Sequence, residues 1–224
     1  MPDPQPVPPV PDLAAAAVLL DLDGVLVDST AGVERRWRAF AVAHGLDPVA
    51  VLAVMHGRRA VDTIRELAPS LPAEELAAAL LRQEVQEVGE DRALPGAAAL
   101  LAALPAGRVA IVTSCDLALA TARLAATGLP RPAVLVTAED VPAGKPDPTG
   151  YLTGARRLGA DPAACVVVED APAGVAAAGN AGMRCIAVTT THLPDRLTAA
   201  TTVTTGVDRI AVSAAPDGLT LSVR

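Results

Sequence analysis

Five short apolar runs, Ala15–Leu20, Arg108–Val112, Ala133–Val136, Cys165–Val168 and Arg184–Val188, recur along the chain, and none alternates with polar residues. Each has strand length and is rich in Val, Ile, Leu or Ala. An apolar run without a polar face fits a strand covered on both sides, the condition of a parallel sheet between helical layers. The segments Pro95–Leu104, Leu117–Thr127, Pro148–Leu158 and Gly174–Ala181 between them follow helical spacing, and Gly128 and Gly159 are placed to stop two of them. Strand alternating with helix predicts an α/β fold with a doubly wound, Rossmann-like parallel sheet.

One segment breaks the alternation. Residues 30–92 carry helical patterns only, in "GVERRWRAFAVAHG", "AVDTIRELAP" and "PAEELAAALLRQEVQEVGE". A helical insertion directly after the first strand reads as a small cap domain, leaving the core to 13–29 and 93–224. Trp37 and Phe40 are its expected core aromatics. Residues 1–12 are Pro-rich and predict a mobile tail. "DRIAV", "PDG" and "LTLSV" near the C-terminus predict a closing β-hairpin.

Composition narrows the function. Hydrophobic residues make up 51% of the 224 and charged ones 19%, which suits an ordered core. Trp37, Phe40 and Tyr151 are the only aromatics, too few to stack single-stranded bases, and the net charge of −7 disfavours nucleic acid and anionic membranes as partners. No apolar run reaches the ~18 residues of a membrane span. The opening "MPDPQPVPPVPDL" lacks the basic-then-apolar order of a secretory leader. Cys115, Cys165 and Cys185 are widely spaced and unpaired by motif, which predicts reduced thiols and a cytoplasmic protein.

Ligands of open α/β sheets collect at the carboxyl ends of the strands. Those ends carry Asp21, Asp23 and Gly24; then Thr113, Ser114 and Cys115; then Lys145 in "AGKPDP"; then Glu169 and Asp170. Hard carboxylate oxygens suit Mg²⁺, while a lysine and the amides near Ser114 can offset phosphoryl charge. The pattern predicts Mg²⁺-dependent phosphate chemistry at a carboxylate-rich site.

In this order, "DLDGVLVDS", "VTS", "GKPDP" and "VVVEDAPAG" resemble the four motifs of the haloacid dehalogenase-like hydrolase superfamily, and the helical insert resembles the C1 cap of its subfamily IA. The resemblance implies Asp21 as a nucleophile that forms an aspartyl-phosphate, and Asp23 as the acid/base that protonates the leaving alkoxide and then activates water. It implies Mg²⁺ on Asp21, Asp170 and the main-chain carbonyl of Asp23, with Glu169 acting through metal-bound water. Ser114 and Lys145 would hold the phosphoryl group, with the Cys115 thiol narrowing the space beside it. Asp23 disfavours dehalogenation, and a cap free of lysine disfavours phosphonoacetaldehyde hydrolysis. A β-phosphoglucomutase has nearly the same core motifs, but Val33 and Ala60 stand where its cap histidine and arginine fall. "HGRRAVDTIRELAP" is instead similar to the cap of sugar- and polyol-phosphate phosphatases, which implies His56 and Arg59 on the non-reacting part of the substrate. A mutase and a phosphoglycolate phosphatase remain the alternatives. A monomer or weak dimer is expected.

Overall fold

The structure, a computed structural model, describes residues 12–216 and 218–224; the tail expected at 1–12 lies outside them except for Asp12. A six-stranded, all-parallel sheet forms its centre, in the order β6(Val134–Val136), β5(Val109–Val112), β2(Ala17–Leu20), β7(Cys165–Glu169), β8(Arg184–Val188) and β9(Thr202–Thr204). The strands are short and apolar, so alternate residues enter opposite cores. Val18, Leu20, Ile111, Val166 and Val168 pack toward α5(Ala97–Ala103) and α6(Leu117–Thr127). Leu19, Ala110, Val112 and Val167 pack toward α7(Thr149–Leu158) and α8(Pro172–Asn180). That double burial explains the missing polar alternation.

The run read as one strand at Ala15–Leu20 is divided at Ala16. Its first part, β1(Leu13–Ala15), pairs antiparallel with β11(Gly218–Val223), which pairs in turn with β10(Ile210–Ala215). Its second part, β2, enters the parallel sheet, and Ala16 N–H donates to Ala164 O at 2.8 Å. The edge strand β9 has no apolar run to announce it.

Four helices fill the insertion: α1(Thr30–Ala43), α2(Pro48–Met55), α3(Ala60–Leu67) and α4(Ala73–Glu87). They close on a core of their own that includes Trp37, Phe40, Met55, Ile64, Ala77 and Leu80. The chain leaves the sheet domain through β3(Val27–Asp28) and returns through β4(Arg92–Ala93), and these two strands pair antiparallel over two residue pairs. Among the described residues no helix is long and apolar enough to cross a membrane.

Candidate active site

Asp21 follows β2, Thr113 and Ser114 follow β5, and Glu169 and Asp170 close β7, so the order of the central strands places their loops side by side. The Asp21 N–H still bonds Val168 O at 3.0 Å, which fixes the carboxylate against the β7 end. Next comes Gly24 at φ +79°, where a Cβ would stand 2.0 Å from Asp170 Oδ2. Glycine is required there twice over, by its backbone and by the carboxylate it leaves room for.

Asp21, Glu169 and Asp170 are all buried, with one oxygen of each inside a 4.8 Å cluster. Thr191 Oγ1 donates to Asp170 Oδ2, while Asp170 Oδ1 is buried with no hydrogen-bond partner. A buried carboxylate oxygen without a donor is costly, and a hard divalent cation satisfies it. The oxygen donor set and the orphaned Oδ1 therefore fit Mg²⁺. Burial pushes Asp21 up to about 7, with Lys145 opposing and Glu169 and Asp23 adding to the shift. Burial, then Glu169 and Asp21, likewise raise Asp170. A bound cation reverses both shifts by favouring the ionised forms.

Lys145 is the only lysine of the chain. Its Nζ donates to Asp21 Oδ1, to Glu169 Oε1 at 2.6 Å and to Val112 O at 3.3 Å. Burial disfavours the ammonium, yet Asp21 and Glu169 outweigh that and raise its pKa. Glu169 is engaged at both of its oxygens. Its Oε1 accepts from Lys145 and from Tyr151 Oη at 2.7 Å, and its Oε2 accepts from the Asp170 and Ala171 N–H groups at 2.9 and 3.3 Å. It is a brace, holding the lysine and the start of the loop that bears Asp170.

The Asp23 carboxylate lies outside the clustered acids. Its Oδ1 accepts from Ser29 Oγ at 2.8 Å and stands 3.0 Å from Arg123 Nη1, and Oδ2 accepts from Cys115 Sγ at 3.1 Å. Cys115 is buried, which raises its pKa, and the neighbouring Asp23 adds to this. The thiol contacts an acid in addition to packing. Ser114 is left free by Asp116, which caps α6 by accepting from Leu119 N–H at 2.8 Å. Ser114 Oγ instead donates to Gly57 O at 2.9 Å, across from the sheet domain to the cap.

That cap loop approaches closely because Gly57, at φ +73°, has only 2.7 Å between its absent Cβ position and Ala171 Cβ. His56 and Arg58 line the cavity over Asp21 and Asp170, along with Trp37 and Leu81. Arg59 instead lines a neighbouring cavity with Ser114 and Lys145. It is turned away onto Asp62, at 2.6 and 3.0 Å, and onto the carbonyls of Val141 and Pro142, both at 3.3 Å, so it ties cap to sheet domain and does not line the cavity over Asp21 and Asp170. His56 Nε2 is 3.5 Å from Glu34 Oε1, and its ring meets His192 edge-on at 5.7 Å. Burial lowers the pKa of both histidines, against the pull of Glu34 on His56.

The sequence reading missed Thr191, Tyr151, Arg123 and Glu84. A threonine in the loop "TTTHLP" carries no signal that separates it from its neighbours. Arg123 and Glu84 did carry one. Arg123 falls on the buried stripe Leu119, Ala120, Leu124 of α6, and Glu84 on the stripe Ala73, Ala77, Leu80 of α4. Opposite charges on two buried helical faces are costly unless they meet.

A family model described as haloacid dehalogenase-like hydrolase matches residues 15–182. The chain is 45% identical over 205 residues to hexitol phosphatase A of Escherichia coli (strain K12), an alignment that covers 89% of this chain and 95% of that one. It is 37% identical over 191 residues to glycerol-1-phosphate phosphohydrolase 2 of Saccharomyces cerevisiae (strain ATCC 204508 / S288c), covering 80% and 76%. The crystal structure of a hydrolase from Pseudomonas syringae superposes with a TM-score of 0.79 at 26% identity, over 86% of this chain and 94% of that one.

Proposed function

The chain belongs to the haloacid dehalogenase-like hydrolase family, and on that footing we propose that it is a Mg²⁺-dependent phosphatase of small phosphorylated polyols and sugars, with residues 30–92 as its cap. The observation that carries the reading is the meeting of Asp21, the sole lysine, and Asp170 with its unpartnered oxygen at the carboxyl edge of the sheet. Asp21 and Asp170, with the main-chain carbonyl of Asp23, are the groups to hold Mg²⁺. When bound, the cation offsets the repulsion between a carboxylate and a phosphate dianion. Asp21 attacks phosphorus; the P–O bond to the substrate alkoxide breaks; Asp23 gives that oxygen its proton. Asp23 then takes a proton from water, whose oxygen attacks the aspartyl-phosphate, and inorganic phosphate leaves with Asp21 restored. Lys145 stands where it neutralises both Asp21 and a phosphoryl oxygen, held there by Glu169. The Ser114 hydroxyl is the second phosphoryl donor.

The cavity wall supports an uncharged, hydroxylated remainder of the substrate. Trp37, Met55 and Leu81 give it an apolar side, and Val33 and Ala60 are on it too, where a mutase carries its cap histidine and arginine. His56 and Arg58 supply donors for hydroxyls. Hexitol phosphates lead among such substrates because hexitol phosphatase A aligns over nearly its whole length. Three free, buried cysteines suit the cytoplasm, and a monomer or weak dimer is proposed there.

Phosphate release with Mg²⁺ over hexitol, glycerol and hexose phosphates tests the reading. The expected result is free phosphate, with kcat/KM highest on a polyol phosphate, and a loss of about 10³-fold or more for Asp21→Asn. An isomerised sugar phosphate as the product, or near-normal turnover by Asp21→Asn, overturns it.

A further inference from the structure

Arg123 has no part in the reaction as described above, yet it is almost wholly enclosed beside it. It leaves α6 into a site where it is 2% exposed and uses three different nitrogens on three carboxylates. Nη1 is 3.0 Å from Asp23 Oδ1, Nη2 is 2.8 Å from Glu84 Oε2, and Nε is 3.2 Å from Asp91 Oδ2. Nη1 also donates to Cys115 Sγ at 3.0 Å, and that thiol in turn bonds Asp23 Oδ2. Glu84 belongs to α4 of the cap, and Asp91 immediately precedes β4, where the chain re-enters the sheet domain. On the outgoing side Ser29, just after β3, holds Asp23 directly. Both chain crossings and one cap helix therefore converge on the Asp23 carboxylate, two of these three ties running through Arg123.

We propose that Arg123 is a positioning residue for Asp23, fixing the carboxylate that moves the proton and linking its placement to the seating of the cap through Glu84 and Asp91. The proposal rests on the acid/base role read for Asp23. A planar guanidinium spans several acids at fixed angles, whereas a lysine ammonium meets them as one point charge. If α4 and Asp91 move away with the cap, Arg123 loses two of its three carboxylates. Proton transfer to an alkoxide leaving group depends on placement, and a small misplacement is enough to slow it. A nitrophenolate leaves without a proton, and kcat/KM covers only the steps up to its departure, before Asp23 acts as base. The leaving group thus separates an effect on Asp23 from a general loosening of the site.

The test compares kcat and KM for an alkyl phosphate and p-nitrophenyl phosphate, with Mg²⁺, in the wild type, Asp23→Asn, Arg123→Lys and the double variant. Arg123→Lys keeps a cation among the acids. It is expected to lower kcat/KM about 10-fold or more on the alkyl ester and under about 3-fold on the aryl ester. The double variant is expected to be no slower on the alkyl ester than Asp23→Asn alone, because both changes act through one group. Equal losses on the two esters, or additive losses in the double variant, overturn the proposal and leave Arg123 a structural residue. If Arg123→Lys does not fold, Glu84→Gln decides: an alkyl-selective loss supports the linkage, and equal losses or none overturn it. An Asp23→Asn enzyme that fails to discriminate the esters defeats the acid/base reading itself, and this inference falls with it.

Discussion

Glu169 is fully buried and accepts four hydrogen bonds, from Lys145, Tyr151 and two consecutive main-chain N–H groups. A glutamine there keeps one acceptor oxygen but presents an NH₂ group to donors. Glu169→Gln is expected to lower kcat/KM about 10- to 100-fold, as loss of a group that orients ligands generally does, and to weaken the rise in melting temperature that Mg²⁺ produces. Thermal shift with and without the metal checks the second half. His56 gives the residue scale its pH dependence. Burial lowers its pKa below the ordinary 6.5, so the folded protein holds this proton less readily than the unfolded chain does. The stability this contributes is complete above about 6.5 and is lost as the pH falls through the lower folded value. His56→Gln is expected to flatten the fall in melting temperature between pH 7.5 and 5.5. An equal fall in both proteins would show that His56 has no share in it.

At the scale of elements, the loop between α2 and α3 is one contact between the two halves. Gly57 reaches Ser114, His56 meets His192, and Arg59 grips the Val141 and Pro142 carbonyls. Arg59→Ala removes the last of these and leaves the cavity wall intact, so it is expected to raise KM roughly 3- to 10-fold with kcat changed less. Steady-state kinetics separates this from direct substrate binding, which a panel of polyol phosphates of different length would reveal as a change in preference among them. The same loop marks where sequence reading stops. "HGRR" announces a turn with cations near the site, but whether Arg58 or Arg59 faces the cavity depends on Asp62, one helical turn on, which captures Arg59. The strands were legible wherever both faces are apolar. They were not at Ala16, where the run passes unbroken from an antiparallel pairing to a parallel one, or at β9, whose "TVT" sits at an edge. Composition reports burial, and neither of these turns on burial.

Across the whole molecule, the four motifs could be read because three occupy the ends of buried strands and the fourth, GKPDP, lies in the loop that follows one, so that strand order gathers them. Arg123 with Glu84 and Asp91 could not be read the same way, since the three come from α6, α4 and the re-entrant neck, and only the packing of the two halves puts them in contact. A neck of two residue pairs joins two halves that each have a core of their own. Lys145, the chain's single lysine, lies almost wholly enclosed beneath that arrangement. To an amine-directed acylating reagent the folded protein is therefore nearly blank, with the α-amino group as its one other target. Acylation at position 145, read by mass, becomes a clock for how often the site opens, and a bound phosphate analogue is expected to slow it.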